Sequence, residues 1–139
     1  MIKLIVGHKG SGKTKTMIAM ANEAVKTSNG NVVCVEKGTQ LLYDLNHQVR
    51  LVDVTEYGIK TCETYYGFLC GIMAGNYDIT DIFCDATFKI CGKDIEGFTV
   101  LVEKLNKMLK DSGPAIVFNV SCEPEELPES IRPLIIEIK

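Results

Sequence analysis

A glycine-punctuated turn near the start of the chain constrains its fold more than any other feature. Gly7-His8-Lys9-Gly10-Ser11-Gly12-Lys13-Thr14 has the spacing G-x-x-x-x-G-K-[ST]. The run before it, Ile2 to Val6, is largely apolar and reads as a strand. After it, Met17, Met20, Ala21, Ala24 and Val25 recur at the spacing of one helix face. Strand, glycine loop and helix in that order make a backbone cradle for an anion. Gly7, Gly10 and Gly12 let the chain curl so that successive N–H groups point inward, and the helix that follows adds its positive end.

In such a cradle Lys13 sets an ammonium between the β- and γ-phosphates of a nucleotide, and Thr14 offers a hydroxyl to Mg2+. The expected nucleotide-binding set is Gly7, Gly10, Ser11, Gly12, Lys13 and Thr14, and the expected ligands are ATP and Mg2+. Guanine-reading proteins of this kind carry an N-K-x-D element, which this chain lacks, so ATP is favoured over GTP.

The chain has 139 residues, 46% of them hydrophobic, enough for one domain with a real core. Fifteen Lys and Arg against eighteen Asp and Glu give a net charge of -3, with no basic stripe, which argues against nucleic acid as a constitutive partner. The longest uncharged stretch, Thr64 to Tyr77, is too short to span a bilayer and is expected to be a buried helix. A strand at the very start, with no signal-peptide pattern, leads to the expectation of a cytoplasmic protein without membrane insertion. Six cysteines (Cys34, Cys62, Cys70, Cys84, Cys91 and Cys122) form no C-x-x-C pair, and both histidines lie far from any cysteine cluster. Reduced, structural thiols are expected rather than a zinc site.

Patterning along the chain predicts alternating elements. A first helix over Lys13 to Ser28 is stopped by Asn29-Gly30. Strands are expected over Asn31 to Glu36, Val49 to Val54, Thr80 to Asp85, Ala115 to Cys122 and Leu134 to Ile138. Helices are expected over Cys62 to Gly75, apolar nearly all round, and over Asp94 to Asp111. Leu41 to Gln48 reads as either a short helix or a loop, and Glu125 to Arg132 as a short acidic helix between Pro124 and Pro133. Alternation of this kind predicts an α/β chain: a three-layer α/β/α sandwich with a mainly parallel sheet of about five or six strands, which together with the Gly7 to Thr14 loop resembles the P-loop NTPase fold. Ligands of such sheets sit beyond the carboxyl ends of the strands, which brings the glycine loop, Glu36, Asp85 and Ser121 to one edge.

Asp85 ends the apolar run Ile82-Phe83-Cys84 and is the candidate Walker B carboxylate, holding Mg2+ with Thr14. Asp81 would enter the strand, at the opposite edge. Many ATPases place a glutamate directly after that aspartate to orient the attacking water; here the position is Ala86. Glu36, at the end of the second strand, is an alternative water-orienting group. On the strand Ala115 to Cys122, Asn119 and Ser121 are candidates to sense the γ-phosphate, with Ser121 nearer the strand end. The chain has two arginines, Arg50 and Arg132; Arg132 is a candidate arginine finger, in cis or across a subunit contact, and a homo-oligomer or a protein partner would be another source of one.

The segment Leu4 to Gly38 resembles the nucleotide core of the secretion and twitching-motility ATPases within the RecA-like, ASCE-type class of P-loop NTPases. Lys9-Gly10-Ser11-Gly12-Lys13-Thr14 and Val33-Cys34-Val35-Glu36 match the loop and the glutamate-ended strand of that group. The resemblance spans about a quarter of the chain and implies that Glu36 is the counterpart of the group's catalytic glutamate. The whole chain also looks like small, uncharacterised bacterial P-loop proteins. A second, partial resemblance is to thymidine kinase, through the Ser11-Gly12-Lys13-Thr14 loop, the helix and a hydrophobic strand, although the paired cysteines of its zinc ribbon are missing. The leading expectation is an ATP-binding P-loop protein with slow Mg-dependent hydrolysis carried by Lys13 and Glu36. The alternatives are a nucleotide-dependent switch or adaptor with little hydrolysis, and a small-molecule or nucleoside kinase whose acceptor pocket uses Tyr65, Tyr66 and Phe68.

Overall fold

The computed structural model describes residues 1–109 and 112–139. Ten elements carry the fold: β1 (Ile2–Gly7), α1 (Lys13–Thr27), β2 (Asn31–Glu36), β3 (Val49–Asp53), α2 (Cys62–Gly75), β4 (Ile79–Cys84), α3 (Thr87–Cys91), α4 (Ile95–Leu109), β5 (Ala115–Ser121) and β6 (Ile135–Ile138). The six strands form one sheet in the order β3-β2-β4-β5-β1-β6, every pairing parallel. Parallel strands need crossovers, and the helices that supply them cover both faces, giving the α/β three-layer sandwich.

Side-chain alternation divides the strands between two cores. Leu4, Val6, Val33, Val35, Ile82, Cys84, Ile116, Phe118 and Val120 point toward α2, α3 and α4, where they meet Tyr65, Leu69, Ile90, Phe98 and Leu105. Ile5, Val32, Cys34, Phe83 and Val117 point the other way, onto Met17 and Ala21 of α1 and onto Leu41 and Leu45. The central strands β2, β4, β5 and β1 are buried on both faces, which is why they read as apolar runs rather than as alternating ones.

Several expected boundaries and environments are corrected. α2 forms as expected, but it is not buried all round: Cys62, Tyr65 and Leu69 face the core, while Gly67, Gly71, Ala74 and Gly75 lie exposed. Lack of charge there reflects small residues on an outer face, not enclosure. The expected acidic helix over Glu125 to Arg132 is absent; the segment holds only the short 3-10 turns Pro124–Glu126 and Arg132–Leu134. Pro128 within it has no N–H to give a helix, and its neighbours bond to its carbonyl as isolated turns instead. Residues 41–48 resolve as turns, with the Asp44 and Leu45 amides donating to the Leu41 carbonyl. The short helix α3 was not anticipated. The expected end of α4 at Asp111 lies outside the described residues. Among the described residues, no helix is long and apolar enough to cross a membrane.

Gly30 shows how tightly the turn after α1 closes: a Cβ there would sit 2.0 Å from the Asp78 carbonyl oxygen. The Asn31 amide donates to that same carbonyl at 2.8 Å. This contact ties the start of β2 to the start of β4 and levels their far ends, where Glu36 and Asp85 emerge.

Candidate functional site

The carboxyl ends of β1, β4 and β5 converge under the turn between β1 and α1. Gly10 (φ 83°) and Gly12 (φ 97°) take the left-handed backbone that an L side chain rarely adopts, and no atom lies within 4 Å of where their Cβ atoms would be. The loop thus curls around open space. Gly7 is needed for a different reason: a Cβ there would lie 2.7 Å from Ser11 Oγ and 2.9 Å from Lys139 Cβ. A cavity of about 630 Å³ adjoins the loop, lined by Gly10, Gly12, Lys13, Thr14, Lys15, Ile18 and Asp44. Asp44, Lys15 and Ile18 carry no motif and were not picked out from the sequence. Asp44 reaches the cavity because the loop after β2 folds back on α1, where Asn22 Nδ2 donates to the Asp44 carbonyl and Asn22 Oδ1 accepts from the Asn46 amide.

Lys13 opens α1 and is buried, with Nζ donating to the His8 carbonyl at 2.9 Å. Burial lowers the pKa of its ammonium; the negative charge of Asp85 opposes that effect. Thr14 Oγ1 donates to Asp85 Oδ1 at 3.1 Å. Asn119 Nδ2 donates to the same oxygen at 2.7 Å. Asp85 itself is 6% exposed, and its amide donates to the Val35 carbonyl at 2.9 Å, which fixes the strand end against β2. Two buried acceptor or donor atoms at this edge, Asn119 Oδ1 and Ser11 Oγ, have no hydrogen-bond partner among the described residues. A buried polar atom left unpaired is costly.

The sheet register explains why Asn119, rather than Ser121, meets Asp85. Cys84 pairs with Phe118, so the next residue of each strand, Asp85 and Asn119, stand level. Ser121 lies two residues further on, level with Gly7. The pairing of Ile82 with Ile116 decides it, not proximity to the strand end. Asp81 stays at the other edge, accepting from Thr80 Oγ1.

Directly after Asp85 the chain turns through Ala86, at φ 53° and ψ 58°, the one non-glycine residue with positive φ among the described residues. A left-handed alanine costs about 1–2 kcal/mol. The turn sends the chain into α3 and leaves Asp85 aimed at Thr14. Strain of this sort concentrates at sites where geometry matters more than local stability.

Glu36 is brought to the same edge, 3% exposed, but both its oxygens are engaged. Oε1 accepts from the Gln40 amide at 3.1 Å and Oε2 from the Leu41 amide at 3.2 Å. Burial raises its pKa; the two amides pull it down, and the charges of Asp85 and Asp53 push it up again. Its visible work is to hold the loop after β2 in place. Arg132 is also committed: Nε and Nη2 both donate to the Leu127 carbonyl, at 3.2 and 2.6 Å. Tyr65 is fully buried against Phe118, and neither it, Tyr66 nor Phe68 lines the cavity beside the glycine loop.

No protein-family model matches the chain, and no curated protein matches it. Among the described residues there is no group of three or more His, Cys, Asp or Glu side chains able to hold a metal ion without help. Thr14 and Asp85 are two oxygen donors side by side. That set suits Mg2+, which takes one or two protein ligands and completes its shell with phosphate oxygens and water.

Proposed function

We propose that the chain binds a nucleoside triphosphate, ATP in preference to GTP, together with Mg2+, and turns it over slowly. The observation that carries this reading is the cluster of Thr14, Asp85 and Asn119 at the foot of the open glycine loop, within reach of Lys13. Lys13 Nζ exchanges the His8 carbonyl for phosphate oxygens. The loop amides and the first turn of α1 take the remaining phosphate charge. Thr14 Oγ1 and Asp85 would hold Mg2+, which would supply positive charge to offset that of the phosphates. Asn119 fixes Asp85 through Nδ2 and presents Oδ1 as an acceptor. With Arg132 engaged by the Leu127 carbonyl, the monomer offers little to offset charge on the leaving side, so turnover is slow unless a second copy or a partner protein supplies a cation.

The test is calorimetric titration of the full chain with Mg-ATP, Mg-ADP and Mg-GTP. Micromolar ATP binding that depends on Mg2+ supports the reading. No heat with any of the three overturns it.

One observation favours a second reading, a nucleotide-dependent switch with little hydrolysis: Glu36 spends both carboxylate oxygens on backbone amides, and Ala86 occupies the other place for a water-orienting acid. Glu36→Gln separates the two. An amide side chain accepts at one end only, so one loop N–H is left without its partner and stability falls by about 1–2 kcal/mol in either case. A turnover rate lowered more than tenfold at unchanged ATP affinity, measured by phosphate release, assigns Glu36 to the water. A rate within twofold of the parent leaves Glu36 as a loop clamp and favours the switch.

A further inference from the structure

Cys62 is the first residue of α2 and Cys91 the last of α3. Their sulfur atoms stand 3.1 Å apart, at 4% and 5% exposure, although 29 positions separate them in sequence. A disulfide bond is about 2.05 Å long, so roughly 1 Å of approach would join them. We propose that Cys62 and Cys91 are a reversible disulfide site, closed by a peroxide, that clamps α3 to α2 immediately downstream of Asp85.

The two thiols are not equivalent, and their surroundings assign the roles. Cys62 lines a cleft of about 570 Å³ between α2 and α4, together with Thr61, Tyr66, Asp94 and Leu101. Cys91 does not line it. The cleft gives a small oxidant a route to Cys62. Cys62 also occupies the first turn of a capped helix, where the backbone N–H groups favour a thiolate. The hydrogen bond between the two sulfur atoms lowers the Cys62 pKa further, against the opposing effects of burial and the Asp94 carboxylate. The same contact, together with burial, raises the pKa of Cys91, which stays protonated. The remaining cysteines are poorly placed to form a disulfide. Burial raises the Cys84 thiol to about 12 and the Cys122 thiol to about 11, and raises Cys34 too. Cys70 lies 3.8 Å from the Met108 sulfur, not from a thiol.

The chemistry balances with hydrogen peroxide as oxidant. The Cys62 thiolate attacks one peroxide oxygen; the O–O bond breaks, the other oxygen leaves as water with the thiol proton, and Cys62 becomes a sulfenic acid. The Cys91 sulfur then attacks the Cys62 sulfur; the S–O bond breaks and a second water leaves with the Cys91 proton. Two thiols are oxidised and one peroxide is reduced to two waters.

Closure removes a contact as well as adding a bond. Reduced Cys91 donates its S–H to the Thr87 carbonyl at 3.3 Å, within α3. Oxidation deletes that donor and anchors the far end of a five-residue helix, whose near end adjoins the strained Ala86 and Asp85. The expected consequence is altered seating of Asp85 against Thr14 and altered affinity for Mg-ATP. That consequence rests on the nucleotide reading above; the crosslink does not.

The experiment treats the wild-type full chain with hydrogen peroxide, blocks free thiols with N-ethylmaleimide, and maps peptides by mass. The expected product is a Cys62–Cys91 linked peptide that dithiothreitol reverses, with the other cysteines alkylated. Both cysteines alkylated after peroxide, or either one linked elsewhere, overturns the site. Mg-ATP affinity is then compared between the reduced and linked forms. A change of fivefold or more that dithiothreitol reverses, and that is lost in both Cys62→Ser and Cys91→Ala, supports the clamp. A linked form with unchanged affinity overturns the clamp's effect and leaves the site. A reduced form that binds no nucleotide overturns the nucleotide reading and that effect with it, again leaving the site. Because the crosslink is read on the wild-type chain, a variant that misfolds does not bear on it.

Discussion

Replacing Lys13 by alanine is expected to weaken Mg-ATP binding by a factor of about 100 or more while leaving the ligand-free protein as stable as the parent, or more so. The two halves of that result have one cause. Lys13 opens α1 as a buried residue, satisfied by a single carbonyl, that of His8. Burial holds its pKa below the ordinary lysine value. A basic group whose folded pKa is lowered binds its proton less tightly in the folded chain than in the unfolded one. Its charge therefore lowers stability at pH values beneath the folded pKa, and stability is regained as pH rises through that pKa toward the unfolded value. Removing the ammonium at neutral pH relieves this cost. With nucleotide bound the sign reverses, because the charge gains phosphate oxygens. Two charge-assisted hydrogen bonds at about 1.5–3 kcal/mol each amount to two or more tenfold steps in affinity. Calorimetry reads the affinity, and thermal unfolding without nucleotide reads the stability. A variant that binds Mg-ATP like the parent would remove the basis for the nucleotide reading. A variant with a sharply lower unfolding midpoint would mean that Lys13 holds the loop rather than the ligand.

How much of this was legible in the sequence depends on the range of the interactions involved. The glycine loop was fully legible, because a strand, three glycines and a helix are local instructions. β2 matched residue for residue, from Asn31 to Glu36, since a continuous apolar run bounded by Gly30 and Gly38 leaves little choice. The sheet order was not legible: it depends on which crossovers pass over which face, and no short stretch encodes that. Asp85 was legible as a strand-end acid, but its partnership with Asn119 was not, because it follows from the register between β4 and β5. α2 misled in another way. Hydropathy weighs glycine and alanine as apolar, and it cannot distinguish an outer face made of Gly67, Gly71, Ala74 and Gly75 from a buried one. Glu36 is the subtlest case. Its position matched the resemblance to secretion ATPases, but the amides of Gln40 and Leu41 that occupy its oxygens belong to a turn that sequence left open between helix and loop. The Cys62 and Cys91 contact was invisible, because α3 was unforeseen.

The second large effect is expected at Asp85, where two substitutions separate its structural work from its chemistry. Asp85→Ala removes the acceptor of both Thr14 Oγ1 and Asn119 Nδ2. Asn119 is 1% exposed and water cannot readily replace the lost partner, so two orphaned donors cost about 2–4 kcal/mol together. Denaturant unfolding should show that loss, with nucleotide absent. Asp85→Asn keeps the shape and one acceptor oxygen, so the cost falls to about 1 kcal/mol, but the negative charge is gone. If Asp85 serves Mg2+, this folded variant should bind ATP equally well with Mg2+ and with a chelator, whereas the parent binds more tightly with Mg2+. If Asp85 serves only to tie Thr14 to Asn119, the Mg2+ dependence of Asp85→Asn should equal that of the parent, and the residue would be a strut for the loop. The first outcome is favoured by the placement of both hydrogen bonds on Oδ1. They hold the carboxylate in one orientation through one of its oxygens, and Oδ2 accepts neither of them. A strut alone has no need of a second oxygen or of a charge buried beside Lys13, nor of a left-handed alanine to aim it.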